Sequence, residues 1–461
     1  MMFKKLIGTK TFYKQILALT IPIMIQNGIT NFVNMLDNIM IGKVGTLQMT
    51  GVAVTNQLIF VYNLCIFGAI SGAGIFGAQF FGKGDNEGVK HTFRFKILFC
   101  TLLTILGIAF FVFAGDTLIS LYLKGEGSLS EIADSLKYAK EYLFIMLIGF
   151  LPYTIAQCYS STLRESGQAV LPMVAGVIAV CVNLLLNYIL IFGKFGIPAL
   201  GVKGAAIATV ISRFTELLVV SLWTTLHKKK NPFIIGAFKS IYIPFSLVKR
   251  IAIKGMPLML NETLWASGMA TLNQCYSVRG LKVVAANNIC QTFFNVFSVA
   301  FMAVGVAISI LLGQILGTGD GKKAKDYSIK LIAFSVFVSV VIGIIYIFSA
   351  EFIPSVYNTD NSIRLLATRL MQISALAMPL DAFAHASYFT LRSGGKTSIT
   401  LIFDSGFMWV VAVPVVFVLS RFTALNVLYL YTICQSLNIL KCLIGYYFVK
   451  KGSWIRNIIE N

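Results

Sequence analysis

Two stretches of the chain repeat one pattern, Gln-x-x-Gly-x-Gly-Asp, and this repeat decides the fold. The first is QFFGKGD at residues 79–85 and the second is QILGTGD at residues 314–320, so that each residue has a counterpart 235 positions later. A second pattern, Thr-Leu-Arg-x-x-Gly, occurs at residues 162–167 and again at 390–395. These pairs predict that the two halves of the chain are copies of one structural unit.

The composition around these motifs is that of an integral membrane protein. Of the 461 residues, 57% are hydrophobic and only 12% are charged, with a mean hydropathy of +0.81. A soluble domain carries about 25% charged residues, so this chain could not cover its own surface in water. Soluble enzymes, disordered regulators and secreted disulfide scaffolds are therefore excluded. Long apolar runs, rather than alternation, favour an all-α polytopic protein over a β-barrel.

The apolar runs divide into twelve predicted transmembrane helices, six in each half. A helix needs about 20 apolar residues to cross a bilayer. Six is an even number, so both halves cross in the same sense and form a parallel internal repeat, an architecture typical of transporters. The predicted segments are 16–41, 51–81, 92–114, 136–160, 170–193, 204–226, 253–276, 284–316, 327–350, 364–392, 397–420 and 422–449.

The charge distribution predicts the orientation and the domain boundaries. The formal charge is +20, and positive residues collect in cytoplasmic loops of membrane proteins. This reading needs no nucleic-acid partner. Most Lys and Arg residues fall on one side if both termini are cytoplasmic, which predicts a multi-pass protein of the inner (cytoplasmic) membrane. The basic connection 227–252 separates a predicted N-lobe (1–226) from a C-lobe (253–461).

Ionisable residues within the apolar segments are the candidate site, because a charged side chain inside a bilayer is energetically costly and usually has a function. Asp381, Glu262, Asp404 and His385 lie about 10–16 Å from the inner ends of their helices, counted at ~1.5 Å per residue. They form one predicted layer, in which the carboxylates would attract H⁺ or Na⁺ and also a cationic drug. The ion and the drug would therefore compete for the same site. Asp37 lies nearer the outer side. The possible Na⁺ ligands are Glu262 and Asp381; no other cofactor is predicted.

Two further sets of polar residues have competing interpretations. Arg213 and Glu216 are three residues apart on one helix, which favours a neutralised structural pair. Amides within membranes usually bond to neighbouring helices. This interpretation applies to amides of the first two predicted helices, namely Gln26, Asn27, Asn31, Asn34, Asn56, Gln57 and Asn63. Asn183 and Asn187, spaced four residues apart on the predicted fifth helix, are instead candidate ion- or substrate-binding residues.

Several of these stretches resemble the multidrug and toxic compound extrusion (MATE) family. They are LDNIMIG at 36–42, GAQ at 77–79 with the glycines after it, the Thr-Leu-Arg motifs, and LGVKGAAIAT at 200–209. The resemblance implies a 12-helix exporter with two six-helix lobes, which expels organic cations and other amphipathic drugs in exchange for H⁺ or Na⁺.

The resemblance also implies roles for individual residues. Asp37 matches the first-helix aspartate of the family. Asp381 lies eleven residues before Arg392, and the tenth-helix carboxylate of cation-coupled members has a similar spacing to its arginine. The seventh-helix glutamate of cation-coupled members falls at Trp265 here, so that Glu262 lies about one turn nearer the cytoplasm. Asn187 occupies the place of a partner aspartate, and an amide there can coordinate an ion but cannot take its proton.

The leading hypothesis is therefore an H⁺- or Na⁺-coupled antiporter that works by alternating access as a monomer in the lipid bilayer. Its substrates would be small organic cations. A lipid or lipid-linked oligosaccharide flippase of the same broad superfamily is the nearest alternative. The acidic interior and the twelve segments argue against it. A membrane-embedded enzyme or receptor would need a catalytic set or a signalling domain, and the sequence contains neither.

Overall fold

A computed structural model describes residues 6–123, 129–357 and 359–460, and within these ranges the chain is helical, with no β-strand. Helices are the expected solution for apolar segments, because lipid offers no partner for a free backbone N–H or C=O group. In chain order the helices are α1 (Lys10–Gly42), α2 (Thr46–Lys83), α3 (Asn86–Leu123), α4 (Leu129–Ile148), α5 (Phe150–Glu165), α6 (Val170–Phe192), α7 (Val202–Leu226), α8 (Phe245–Ser277), α9 (Leu281–Gly317), α10 (Gly321–Ser349), α11 (Asn361–Ser393), α12 (Thr397–Leu401), α13 (Val413–Phe422) and α14 (Val427–Lys451).

These helices account for all twelve predicted segments. Ten described spans are long and apolar enough to cross a membrane, and the bent pair of α4 and α5 makes an eleventh. The remaining predicted segment, the seventh (253–276), corresponds to α8, which is 33 residues long and contains the polar residues Asn261 and Glu262. The predicted all-α, multi-pass architecture is confirmed, and most helices extend several residues beyond the predicted bounds.

The fourth predicted segment is not one straight helix. It bends by 48° between α4 and α5, where Gly149 joins the two helices. Pro152 lies in the first turn of α5, a position at which the missing N–H costs nothing. The bend therefore lies at the glycine that precedes this first turn and not at the proline within it.

The eleventh segment is also irregular, because two π-helical stretches, Ile402–Gly406 and Met408–Ala412, lie between α12 and α13. Pro414 follows directly. A proline cannot donate to the carbonyl four residues before it and clashes with that carbonyl in an α-helix. A π-helical turn widens the backbone at this point, and such turns are frequent at functional sites. Asp404 lies within the first stretch.

The two copies of the Gln-x-x-Gly-x-Gly-Asp motif have the same local geometry. Gly84 and Gly319 both have a φ of +79°, a conformation that favours glycine. Asp85 accepts a hydrogen bond from Gly88 N, and Asp320 accepts one from Lys323 N, each at 2.9 Å. Each aspartate thus caps the helix that follows. The internal repeat inferred from sequence is therefore a repeat of backbone conformation.

The first glycines of the two motifs make a reciprocal helix crossing. A Cβ on Gly82 would overlap the backbone carbonyl oxygen of Gln314, and a Cβ on Gly317 would overlap that of Gln79. The buried Gln79 side chain donates to the carbonyl oxygens of Ser393 (3.1 Å) and Arg456 (3.2 Å). Glycine is required at this crossing because the two backbones touch.

The chain divides into two compact units. The N-terminal unit comprises Ile25–Gly77 and Asp85–Ile251, and the C-terminal unit comprises Met1–Met24, Ala78–Gly84 and Ala252–Asn461. The first part of α1 and the last residues of α2 thus group with the second half of the sequence. The lobe limits 1–226 and 253–461 and the linker 227–252 stay a prediction from the sequence.

Candidate functional site

In the N-terminal unit, Asp37 is held by amides from a neighbouring helix. Asn187 Nδ2 donates to Asp37 Oδ1 at 2.6 Å and also lies 3.1 Å from Asn183 Oδ1. Both asparagines are buried, and their spacing of four residues places them on one face of α6. Asn183 Nδ2 in turn lies 3.3 Å from Thr209 Oγ1 on α7. Three residues named from the sequence, Asp37, Asn183 and Asn187, therefore form one cluster.

The same unit contains a buried ion pair that the sequence did not reveal. Lys96 on α3 has no exposed side-chain surface and contacts both carboxylate oxygens of Glu165 on α5 at 2.7 Å. Lys96 also donates to Ser161 and Thr162. Both residues lie near the ends of predicted helices, where charged side chains are common, so nothing in the sequence distinguishes them. The pair is fully satisfied by its own partners and is a structural connection between α3 and α5.

In the C-terminal unit, Asp381 on α11 contacts an amide of α14. Asn438 Nδ2 donates to Asp381 Oδ1 at 2.7 Å. Asp381 is half-buried, and among the described residues it forms no ion pair within 4.0 Å. Its carboxylate thus lies inside a helical bundle with one amide donor, while Lys441, whose charge also acts on Asp381, forms its ion pair with Asp404.

Asp404 differs, because a lysine neutralises it. Lys441 Nζ lies 2.6 Å from Asp404 Oδ1, and Asn261 Nδ2 lies 3.0 Å from the other carboxylate oxygen. The two charged side chains are 15% and 17% exposed. Lys441 and Asn438 are three residues apart on α14, so that one helix face supplies a donor to each aspartate.

Glu262 and His385 lie beside this network without hydrogen bonds to it in the described part of the chain. Glu262 is half-buried and follows Asn261, which binds Asp404. His385 packs against the rings of Phe301 and Phe389, with centroids 5.9 and 4.8 Å away. Within the described residues, the predicted layer is therefore not one connected network: Asp404 and Asp381 are each bonded to α14, through Lys441 and Asn438. No hydrogen bond among these residues joins Glu262 or His385 to either aspartate.

The comparisons with known proteins agree on one family. The MatE family model matches residues 22–189 and 257–418, one match in each half of the chain. A probable multidrug resistance protein NorM of Thermotoga maritima is 27% identical over 419 residues, covering 90% of this chain and 87% of the relative. The probable multidrug resistance protein YoeA of Bacillus subtilis is 26% identical and covers 95% and 94%.

Solved structures share the fold over nearly the whole chain. An outward-facing multidrug resistance MATE family transporter of the MOP superfamily superposes with a TM-score of 0.84 at 19% identity, covering 97% of this chain and 98% of that one. A MOP superfamily transporter from Pyrococcus furiosus gives a TM-score of 0.85 at 19% identity and covers 98% of both chains. The two-lobe arrangement of twelve helices is the fold of these structures.

Proposed function

The chain belongs to the MatE family of multidrug transporters, and from that premise we propose that it is a secondary active antiporter. It exports cationic, amphipathic drugs or toxins in exchange for H⁺ or Na⁺ by alternating access of two six-helix lobes. Its working unit is a monomer in the inner membrane, with both termini in the cytoplasm. The excess of Lys and Arg in the connections on that side supports the orientation.

The contrast between Asp381 and Asp404 carries this proposal. Asp404 has a tethered counter-ion, since Lys441 lies 2.6 Å away. Among the described residues, Asp381 accepts a hydrogen bond from the amide of Asn438 at 2.7 Å and forms no ion pair within 4.0 Å. A carboxylate without a fixed cation keeps its charge available for a mobile one, whether H⁺, Na⁺ or the ammonium group of a drug. Asp381 is therefore the proposed exchange site in the C-terminal unit, and Glu262, one residue from Asn261, is its proposed auxiliary.

Asp37 is the proposed counterpart in the N-terminal unit. It too is bonded to an amide, Asn187 Nδ2 at 2.6 Å. An amide can help to coordinate a cation, but only the carboxylate can accept a proton. Any proton exchanged in this unit is therefore carried by Asp37, with Asn183 and Asn187 holding it in position.

Exchange requires that the ion and the drug favour different conformations of the protein. A ligand shifts a conformational equilibrium only by its difference in affinity for the two states. Occupation of Asp381 by the ion would displace the cationic drug and stabilise one state, and occupation by the drug would stabilise the other. This reciprocal effect is the coupling free energy of the antiporter.

The experiment that tests the function is efflux of a fluorescent organic cation from proteoliposomes of the purified protein. A Na⁺ gradient and a pH gradient are imposed separately, with protein-free vesicles as the control. Uphill efflux under either gradient supports the antiporter and identifies its ion. Absence of flux under both gradients would contradict it and favour the alternative, a flippase for a lipid or lipid-linked oligosaccharide, which is then tested by flipping of a labelled lipid.

A further inference from the structure

The 227–245 segment, which joins α7 to α8 within the N-terminal unit, is fixed to the start of α3. Arg94 on α3 donates from its three guanidinium nitrogens to backbone carbonyl oxygens of the segment, those of Ala237 (2.7 Å), Gly236 (2.8 Å) and Tyr242 (3.1 Å). Phe233 of the segment is buried against the Phe93 ring of α3, with centroids 5.4 Å apart. The segment therefore has a fixed conformation and is packed on one side.

Other large apolar side chains of the same segment are exposed. Five of them are between 53% and 80% exposed, namely Ile235, Phe238, Ile241, Tyr242 and Phe245. Single apolar residues on a surface are ordinary, but a group of them in one short stretch marks an interaction site. Since the described part of the chain does not cover these side chains, their partner is another molecule.

The segment is positively charged and contains no negative charge. Lys228, Lys229 and Lys230 directly follow the end of α7, Lys239 lies next to the exposed Phe238, and all four lysines are exposed. Residues 217–261 contain no aspartate or glutamate. Among the described residues, none of the four lysines forms an ion pair within 4.0 Å. The partner that fits this charge is anionic.

The segment lies at the level of the membrane surface. α7 is apolar enough to cross a membrane and ends at Leu226, immediately before the lysines. Arg94 is the third residue of the predicted apolar segment 92–114, so the backbone bonded to it lies near the end of that apolar stretch. Trp223 in the last turn of α7 stacks on His227 with centroids 4.3 Å apart, and tryptophan is enriched at the membrane–water interface.

Exposed rings next to lysines are typical of a segment that lies in the interface of an anionic membrane. The rings contact the boundary between headgroups and acyl chains, and the ammonium groups contact the headgroup phosphates. We infer that the 227–245 segment binds anionic phospholipids of the surrounding bilayer. This lipid surface is distinct from the acidic residues of the candidate site, and the inference does not rest on the proposed export function.

The test compares two phospholipids with the same acyl chains and different headgroups. Palmitoyl-oleoyl phosphatidylglycerol, which is anionic, or the corresponding phosphatidylcholine, which is neutral overall, is titrated into the full-length protein in a neutral detergent. Bound lipids are counted by native mass spectrometry. The charge variant combines Lys228→Gln, Lys229→Gln and Lys230→Gln. The matched control removes three exposed lysines at the start of α10, which lie between Asp320 and Asp326, and combines Lys322→Gln, Lys323→Gln and Lys325→Gln.

The expected result is a loss that depends on the headgroup. The charge variant should bind phosphatidylglycerol at least about fivefold more weakly, the effect of one lysine at an anionic surface, and should bind phosphatidylcholine as the wild type does. The control should bind both lipids as the wild type does. Added NaCl should weaken only phosphatidylglycerol binding, since salt screens exposed charges. Thermal unfolding without lipid verifies that the variants fold.

A second variant tests the exposed apolar side chains. Phe238→Ser combined with Ile241→Ser should weaken binding of both lipids, because contact with the acyl boundary does not depend on headgroup charge. Unchanged binding of both lipids by this variant would contradict an interfacial position of the segment.

Three further outcomes would overturn the inference. The first is an equal loss of phosphatidylglycerol binding in the charge variant and the control, because affinity would then follow net charge alone. The second is wild-type protein that binds the two lipids equally. The third is displacement of phosphatidylglycerol by glycerol phosphate, which would make the segment a site for soluble phosphate esters. Lipid binding is measured without a gradient, so these outcomes are distinguishable from a failure of the proposed export function.

Discussion

Lys441 Nζ lies 2.6 Å from Oδ1 of Asp404, across the space between α14 and the π-helical stretch that follows α12. This contact separates the two aspartates of the C-terminal unit into different roles. Asp404 has its own cation, and Asp381 has an amide. The tethered ammonium group occupies the place that a mobile cation would take at Asp404, and for this reason we propose exchange at Asp381 instead.

The first prediction concerns this ion pair. Lys441→Met should lower the free energy of unfolding in detergent by about 3 kcal/mol, because it leaves Asp404 as a mostly buried charge without a partner. The double variant Lys441→Met with Asp404→Asn should recover most of that loss. Lys282→Met is the control, since its pair with Asp360 is exposed and 3.9 Å long, and it should leave stability unchanged. Equal stability of Lys441→Met and wild type would show that the pair is not structural.

The second prediction concerns the reciprocal crossing of α2 and α9. Gly82→Ala should destabilise the protein by about 1–3 kcal/mol, because the new methyl group meets the backbone carbonyl of Gln314. Gly28→Ala is the matched control, since a Cβ there has no heavy atom within 4 Å. Thermal unfolding in detergent measures both variants. A Gly82→Ala protein as stable as Gly28→Ala would refute the close crossing.

Much of the fold follows from the sequence because its signals are local. Apolar run length sets the number of helices, and the Gly-x-Gly-Asp sequence specifies a left-handed turn followed by a helix cap. Gly84 and Gly319 have the same φ of +79° for that reason. The bend at Gly149 was not predicted, because a single glycine within an apolar run is no clear break and the nearby Pro152 is tolerated in a first helical turn.

The candidate site was only partly predictable, since its pairings join helices that are far apart in sequence. The charge of Asp404 could be recognised from its apolar neighbours. Its partner Lys441 lies on another helix 37 positions later, and nothing in the spacing relates the two. Conversely, the spacing of Arg213 and Glu216 favoured a local pair, and tertiary packing directed Arg213 to the rings of α5.

The third prediction concerns Asp37 in the N-terminal unit. Asp37→Asn keeps the size of the side chain and an oxygen acceptor for Asn187, but it removes the charge. Gradient-driven export of an organic cation from proteoliposomes should fall about a hundredfold or more, the range typical of losing a positioned acid–base group. Asp116→Asn, which removes an exposed partner of Lys140, should export at the wild-type rate. Full coupled export by Asp37→Asn would reduce Asp37 to a structural residue near the helix end.

The most direct measurement of the central claim is uphill export of a fluorescent organic cation by Asp381→Asn in proteoliposomes, under the gradient that drives the wild type. Asp326→Asn is measured beside it, because Asp326 pairs with Lys330 at the exposed start of α10. We expect wild type and Asp326→Asn to export the dye, and Asp381→Asn to fold and insert but to show no gradient-driven flux. Wild-type export by Asp381→Asn would contradict the assignment of ion exchange to this carboxylate.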